Sequence, residues 1–95
     1  MSAKIIPKAR LRLGRVVATP NALNQVPLED ILLGISRHRA GDWGAVCEQD
    51  RQANDAAVAL GTRLMSVYQS ANGVKFWIIT ESDRSSTSVL LPEDY

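Results

Sequence analysis

Residues 62–80 have the sequence TRLMSVYQSANGVKFWIIT, and this stretch decides the fold. Apolar and β-branched residues flank Asn72 and Gly73, a pair that suits the two-residue type I′ turn of a β-hairpin. Residues 76–80, FWIIT, are apolar on both faces, which is typical of a central strand that is covered on both sides. The stretch therefore predicts a hairpin whose second strand lies inside a sheet.

The register of this hairpin follows from its turn. A two-residue turn places Tyr68 opposite Trp77 and Val67 opposite Ile78. The polar segment SDRSS makes the next turn, and TSVLL at 87–91 predicts a third strand. The last third of the chain is therefore expected to form a three-stranded antiparallel meander.

A first helix is predicted over roughly residues 27–39. Pro27 suits the first helical position, and the acidic residues that follow it lie where the helix dipole favours negative charge. The apolar residues with the spacing of a buried stripe are Leu28, Ile31, Leu32 and Ile35. Basic side chains at 37–39 and a left-handed stop at Gly41 are expected to end the helix.

A second helix is predicted over about 50–60, with Asp50 or a nearby residue as its cap and Gly61 as its terminator. Asn54 is expected to be a solvated neighbour of the cap. Its narrow apolar face consists of Ala53, Ala57 and Leu60. An earlier run, Arg12–Thr19, predicts a short strand. The element order β-α-α-β-β-β predicts an α+β fold in which two helices pack on one face of a small antiparallel sheet.

The composition is that of one ordinary domain, expected over residues 11–95 and preceded by a flexible basic arm at 1–10. Eleven basic and ten acidic side chains leave a net charge of +1, which argues against non-specific nucleic-acid binding by the whole surface. The cations of the first fifteen residues are Lys4, Lys8, Arg10, Arg12 and Arg15. The arm therefore predicts at most a weak, salt-dependent contact with nucleic acid.

Several classes of site have no motif here. The single cysteine, Cys47, cannot form an internal disulfide and has no CxxC partner for zinc, so a small buried thiol is expected. Phosphate-binding loops, hydrolase elbows and dinucleotide fingerprints are absent from the sequence, and no cofactor or metal is predicted. With no apolar run long enough for a membrane span and no secretory signal, the chain is expected to be cytoplasmic.

Three segments resemble a group of small bacterial proteins that are found on plasmids, prophages and other mobile elements. They are RHRAGDWG at 37–44, WIITESDR at 77–84 and LLPEDY at 90–95. The resemblance covers residues 15–95 and departs from the usual pattern at Asn21, where glycine is common, and at 85–88, which holds one threonine instead of two adjacent ones. Some members are labelled as restriction-modification subunits. The resemblance implies a mobile-element context and assigns no catalytic residue.

The segment RHRAGDWG allows two interpretations. His38 is the only histidine and stands four residues before Asp42. If the helix continued that far, the carboxylate could orient the imidazole, with Glu81 or Asp83 as further metal ligands. We favour the other interpretation, a cation at a helix C-terminus and a glycine-flanked turn in which Trp43 closes the core. The residues expected to have structural roles are Gly41, Trp43, Gly44, Asn72 and Gly73.

Two other sets of side chains are candidates for function. An enzyme of the small-nuclease or toxin type would use Glu81 as base, His38 as acid and Arg84 on a phosphate, which requires the three to converge. Tyr68 and Trp77 could stack on single-stranded bases, although a cross-strand aromatic pair that covers the core is the commoner arrangement.

The leading hypothesis is a small, non-enzymatic accessory protein of a mobile element that binds a protein partner or a second copy of itself. Two short helices cover only one sheet face, whereas the hairpin is apolar on both, so the other face is expected to be covered by another chain. A homodimer is one expected form. The alternatives are the enzyme described above and weak nucleic-acid binding by the arm.

Overall fold

A computed structural model describes residues 11–95 and shows an α+β fold. In chain order, the elements are β1 (Arg15–Ala18), α1 (Pro20–Gln25), α2 (Leu28–Arg39), α3 (Glu48–Leu60), β2 (Leu64–Gln69), β3 (Lys75–Thr80), β4 (Ser86–Leu90) and a 3-10 turn (Pro92–Asp94). In this part of the chain, no helix is both long and apolar enough to cross a membrane. The predicted α+β class is confirmed, with α1 as an additional short helix.

The strand order in the sheet is β1-β4-β3-β2. Strands β2, β3 and β4 form the predicted antiparallel meander, whereas β1 pairs with β4 in parallel, which makes the sheet mixed. Strand β1 is shorter than the predicted Arg12–Thr19. The chain before it leaves the sheet, because Leu11 packs in a separate core cluster and its amide donates to the carbonyl of Arg39.

The hairpin pairs Val67 with Trp77 and Tyr68 with Phe76, so the predicted register is wrong by one residue. The connection has one residue more than a two-residue turn. The amide of Ser70 donates to the carbonyl of Val74, at 2.9 Å, and encloses a three-residue loop that ends at Gly73 with a φ of 84°. A shift of one residue exchanges the two faces of a strand.

Contacts outside the hairpin explain this wider loop. The side chain of Asn72 donates to the carbonyl of Gln25, and the amide of Ala71 donates to the carboxylate of Asp30. Because these partners lie in α1 and α2, the turn is held by tertiary structure and not by its own two central residues alone.

All three helices lie on one face of the sheet. The main core cluster joins α1 and α2 to the sheet and consists of Ala22, Val26, Ile31, Tyr68, Phe76, Ile78, Val89 and Leu91. A second cluster brings in α3 and consists of Leu11, Trp43, Ala57 and Leu64. The prediction that the helices share one face is confirmed.

The predicted stripe of α2 is half correct. Ile31 is buried and Ile35 packs against the main core cluster, as predicted. Gly34 and His38 complete the side of the helix that faces the sheet. Leu28 and Leu32, in contrast, are exposed. The reason is the close packing at Gly34, where a Cβ atom would lie 3.0 Å from the ring of Phe76. The glycine lets the helix approach the sheet on that side, and so turns the leucines outward.

Helix α3 is held by polar contacts more than by its predicted apolar face. Ala57 is buried, but Ala53 and Leu60 are exposed. Asn54, expected in solvent, is buried and pairs with the backbone of Met65: its Nδ2 donates to the carbonyl at 2.8 Å, and its Oδ1 accepts from the amide at 3.2 Å. An amide side chain that matches a strand backbone in this way anchors the helix to β2.

Both ends of α3 are capped. The N-terminal cap is Cys47, three residues before Asp50, and the exposed Sγ of Cys47 accepts from the Asp50 amide at 3.4 Å. Capping of this helix end explains why the thiol is at the surface and not in the core. At the C-terminus, Gly61 adopts the predicted left-handed conformation, with a φ of 73°.

The second face of the sheet is covered in part by the C-terminal segment. Tyr95 contacts Trp77 edge-to-face, with ring centroids 5.6 Å apart. The carboxylate of Asp94 accepts from the Thr19 hydroxyl, the Asn21 side chain and the Leu91 amide, and these hydrogen bonds lower its pKa. The end of the chain is thereby fastened to the β1–α1 junction.

Candidate functional site

The segment RHRAGDWG forms the corner between α2 and α3 and adds a short strand-like stretch to the edge of β2. The amide of Val67 donates to the carbonyl of Trp43 at 3.0 Å, and the amide of Ala45 donates to the carbonyl of Val67 at 2.8 Å. Gly44, with a φ of 75°, lies between them, and a Cβ atom there would overlap the Val67 carbonyl oxygen. The second glycine of GDWG therefore permits this close backbone pairing.

Trp43 fills the second core cluster. It is 3% exposed, which confirms the predicted burial, and its ring meets that of His38 edge-to-face at 5.6 Å. Its Nε1 donates to the carboxylate of Asp55 in α3 at 2.9 Å. The indole thus joins the corner to both helices.

Asp42 pairs with Arg37 and not with His38. The guanidinium of Arg37 donates from Nε and Nη2 to the two carboxylate oxygens, at 2.7 and 3.2 Å, and this interaction raises the pKa of Arg37. The same guanidinium lies 4.7 Å from the ring centroid of Tyr68, whose hydroxyl donates to the Asp42 carbonyl. Asp42 therefore stabilises the turn and does not orient the imidazole.

His38 is fully buried, with no exposed surface, at the centre of a chain of hydroxyl groups. Its Nδ1 lies 2.6 Å from Ser66 Oγ, and its Nε2 lies 2.8 Å from Thr80 Oγ1. Thr80 is bonded in turn to Thr87, which donates to the Leu13 carbonyl. These three hydroxyl residues lie on β2, β3 and β4, on the face that the helices cover.

The hydrogen-bond chain assigns the tautomer of the imidazole. Thr87 uses its only proton on the Leu13 carbonyl, so Thr80 must donate to Thr87. Thr80 then accepts from Nε2–H of His38, and Ser66 donates to Nδ1. The neutral Nε2–H form satisfies every donor and acceptor in the chain.

Burial, and to a lesser extent the charge of Arg84, lowers the pKa of His38 to about 4. The expectation that His38 is a cation at a helix C-terminus is therefore wrong. The residue is in the last turn of α2, but its side chain points at the sheet and not along the helix axis. The sequence does contain a signal for this burial. Three hydroxyl residues occupy inner-face positions of adjacent strands, and buried hydroxyl groups require a polar partner such as an imidazole.

Arg84 and Glu81 each have a structural contact. Arg84, at a φ of 61°, donates from Nη1 to the Thr62 carbonyl at 2.6 Å and from Nη2 to the Ala57 carbonyl at 3.0 Å, and so caps α3. Glu81 lies 3.7 Å from the guanidinium of Arg63. Because His38 has no exposed surface, it cannot reach a phosphate in this conformation, and the three enzyme candidates do not form a solvent-facing site.

The two aromatic candidates lie on opposite faces of the sheet. Tyr68 is buried and packs on Phe76, with ring centroids 5.7 Å apart, and burial raises the pKa of Tyr68 to about 12. Trp77 is half-buried beneath Tyr95. They are not a cross-strand pair, because the register differs from the predicted one, and Tyr68 has no free ring face for a base.

The remaining candidates are the metal ligands and the basic arm. Within residues 11–95, no group of three or more His, Cys, Asp or Glu side chains could hold a metal ion. Arg12 and Arg15 are exposed. Lys4, Lys8 and Arg10, and with them the predicted arm at 1–10, lie outside the described residues.

A group of exposed leucines lies on α2, on the side that faces away from the sheet. Leu28, Leu32 and Leu33 are 63%, 57% and 59% exposed. Beside them is an open groove of about 300 Å³, lined by Leu32, Ile35, Ser36, Arg39 and Ala40. We call these leucines together with Glu29, Ser36, Arg39 and Ala40 the outer face of α2.

Comparisons with protein-family models, curated protein sequences and solved structures found no match to this chain.

Proposed function

We propose that this protein is a small accessory protein of a bacterial mobile element that acts in the cytoplasm by binding another protein chain through the outer face of α2. The observation that carries the proposal is the set of three large leucines, each more than half exposed, on one side of a single helix. The mobile-element context is supported by the resemblance of RHRAGDWG, WIITESDR and LLPEDY to proteins of such elements.

Burial of these leucines by a partner is energetically favourable. Leu28 and Leu32 are one helical turn apart and point in the same direction, and Leu33 widens the apolar surface. Because each leucine is only about 60% exposed in the monomer, its burial contributes roughly 1–2 kcal/mol. An apolar helix face of this kind beside a groove is a common mode of protein recognition.

The chemistry-bearing side chains support the same conclusion. His38 is bonded to Ser66 and Thr80 inside the core, and Arg84 is bonded to carbonyls of the α3 end. Since these residues stabilise the fold, binding by α2 explains the molecule better than catalysis does.

Photo-crosslinking in living bacteria tests the proposal. A photo-reactive amino acid in place of Leu33 is expected to give a discrete crosslinked protein product. The same amino acid in place of Leu60, which is 75% exposed on α3, is the matched control and is expected to give none. Absence of a product from position 33, or equal products from both positions, would contradict the proposal.

A further inference from the structure

We infer that the outer face of α2 binds a second copy of this chain, with the two α2 helices antiparallel across a two-fold axis. The inference rests on the proposed function, because it names the partner of that same surface. Two independent features of the helix are self-complementary in this arrangement: the sizes of its exposed side chains and the signs of its terminal charges.

The side-chain sizes change along one line of the helix. Residues four apart lie on one face, and on this face the order is Leu28, Leu32, Ser36, Ala40. The N-terminal half is thus a ridge of two exposed leucines, and the C-terminal half borders the open groove, whose lining includes the small side chains of Ser36 and Ala40.

An antiparallel pair matches this ridge to this groove. With the two-fold axis at the level of Gly34, Leu28 lies level with Ala40 of the second copy. In the same way, Leu32 lies level with Ser36 of the second copy, so each leucine packs beside a small residue in the groove. A parallel pair would set leucine against leucine at one end and leave the groove empty at the other.

The charges follow the same symmetry. Glu29 is exposed in the first turn of α2, and Arg39 is exposed in its last turn. Within the described residues neither is part of an ion pair, whereas Arg37 is bonded to Asp42. In the antiparallel pair, Glu29 of each copy lies level with Arg39 of the other, which gives two attractive pairs and aligns the helix dipoles favourably. A parallel pair would set like charges together.

Sedimentation across a concentration series tests this arrangement. The wild-type chain is expected to dimerise. Glu29→Arg and Arg39→Glu each set like charges against one another twice in the homodimer, so each is expected to raise the Kd by about tenfold. Leu60→Ser is the control and is expected to leave the Kd unchanged. Because Glu29→Arg and Arg39→Glu both oppose the dipole of α2, circular dichroism at the temperature of the experiment checks that each variant is folded.

A mixture of the two charge variants gives the sharpest result. An equimolar mixture of Glu29→Arg and Arg39→Glu restores both attractive pairs in the heterodimer, which is expected to form with a Kd near that of the wild type. A dimer that is indifferent to both variants would overturn the inference, because it would use another surface. A chain that stays monomeric while position 33 crosslinks a different protein would also overturn it, but would leave the proposed function intact.

Discussion

Gly44→Ala is expected to lower the free energy of unfolding by roughly 4 kcal/mol or more, enough to unfold a domain of this size at marginal stability. Position 44 has a φ of 75°, where a side chain is strained by about 1–2 kcal/mol. In addition, a Cβ atom would overlap the carbonyl oxygen of Val67, so the Trp43–Ala45 segment must separate from β2 and lose two backbone hydrogen bonds. Chemical denaturation monitored by circular dichroism measures the loss.

Gly61→Ala is the matched control for this change. Position 61 has a similar φ of 73°, but a Cβ atom there would meet nothing within 4 Å. Gly61→Ala is therefore expected to lose only the free energy of left-handed backbone strain, about 1–2 kcal/mol. Equal losses for the two variants would show that the close pairing of Gly44 with β2 contributes nothing beyond backbone strain.

Trp43→Ala is expected to lower the free energy of unfolding by about 3–5 kcal/mol, as truncation of a buried core aromatic does. The variant removes an indole that is 3% exposed and packs in the cluster with Leu11, Ala57 and Leu64. It also removes the hydrogen bond to Asp55, which connects the corner to α3.

Trp43→Phe separates these two contributions. Phenylalanine keeps an aromatic ring in the cluster but cannot donate to Asp55, so a loss of about 1–2 kcal/mol is expected in thermal or denaturant melts. If Trp43→Ala were as stable as the wild type, the corner would be a surface feature, contrary to the packing described above.

Local signals predicted the elements of this fold well. The periodicity and terminal residues of α2 placed its C-terminal end at Arg39, and Gly61 was correctly expected to end α3. These features depend on residues close in sequence. The hairpin register failed because its loop is bonded to Gln25 and Asp30, which no local turn rule includes.

The errors on α2 and α3 have a common physical cause. Apolar spacing alone does not reveal which face of a helix meets the sheet. On α2 this face is determined by Gly34, because the absence of a side chain there allows Phe76 to approach the helix. On α3, the anchoring side chain is Asn54, a polar residue that hydrophobic patterns do not include.

The candidate site was predicted in part. The predicted burial of Trp43 was correct, because an aromatic residue between two glycines is a local signal. The role of His38 was missed, because its partners Ser66, Thr80 and Thr87 lie on three strands that become neighbours only in the folded sheet. Leu28 and Leu32 of α2 were predicted as core residues but are exposed.

The only histidine of the chain, His38, is part of the core. The pKa of His38 is lowered from 6.5 to about 4 in the folded protein, so protons bind preferentially to the unfolded chain between these values. The resulting stability is fully present above pH 6.5 and is lost as the pH falls towards 4, by roughly 3 kcal/mol. His38→Gln, which does not titrate, should lack this dependence.

An NMR titration of the His38 ring in the folded protein tests whether the imidazole is buried, because the chain contains one histidine and its signals are unambiguous. The expected result is a neutral imidazole, protonated at Nε2, whose signals do not move between about pH 6 and pH 8, with a pKa of about 4. A pKa of His38 near 6.5 in the native protein would contradict its burial, because the imidazole would then be in contact with solvent. His38 would again be a candidate for catalysis.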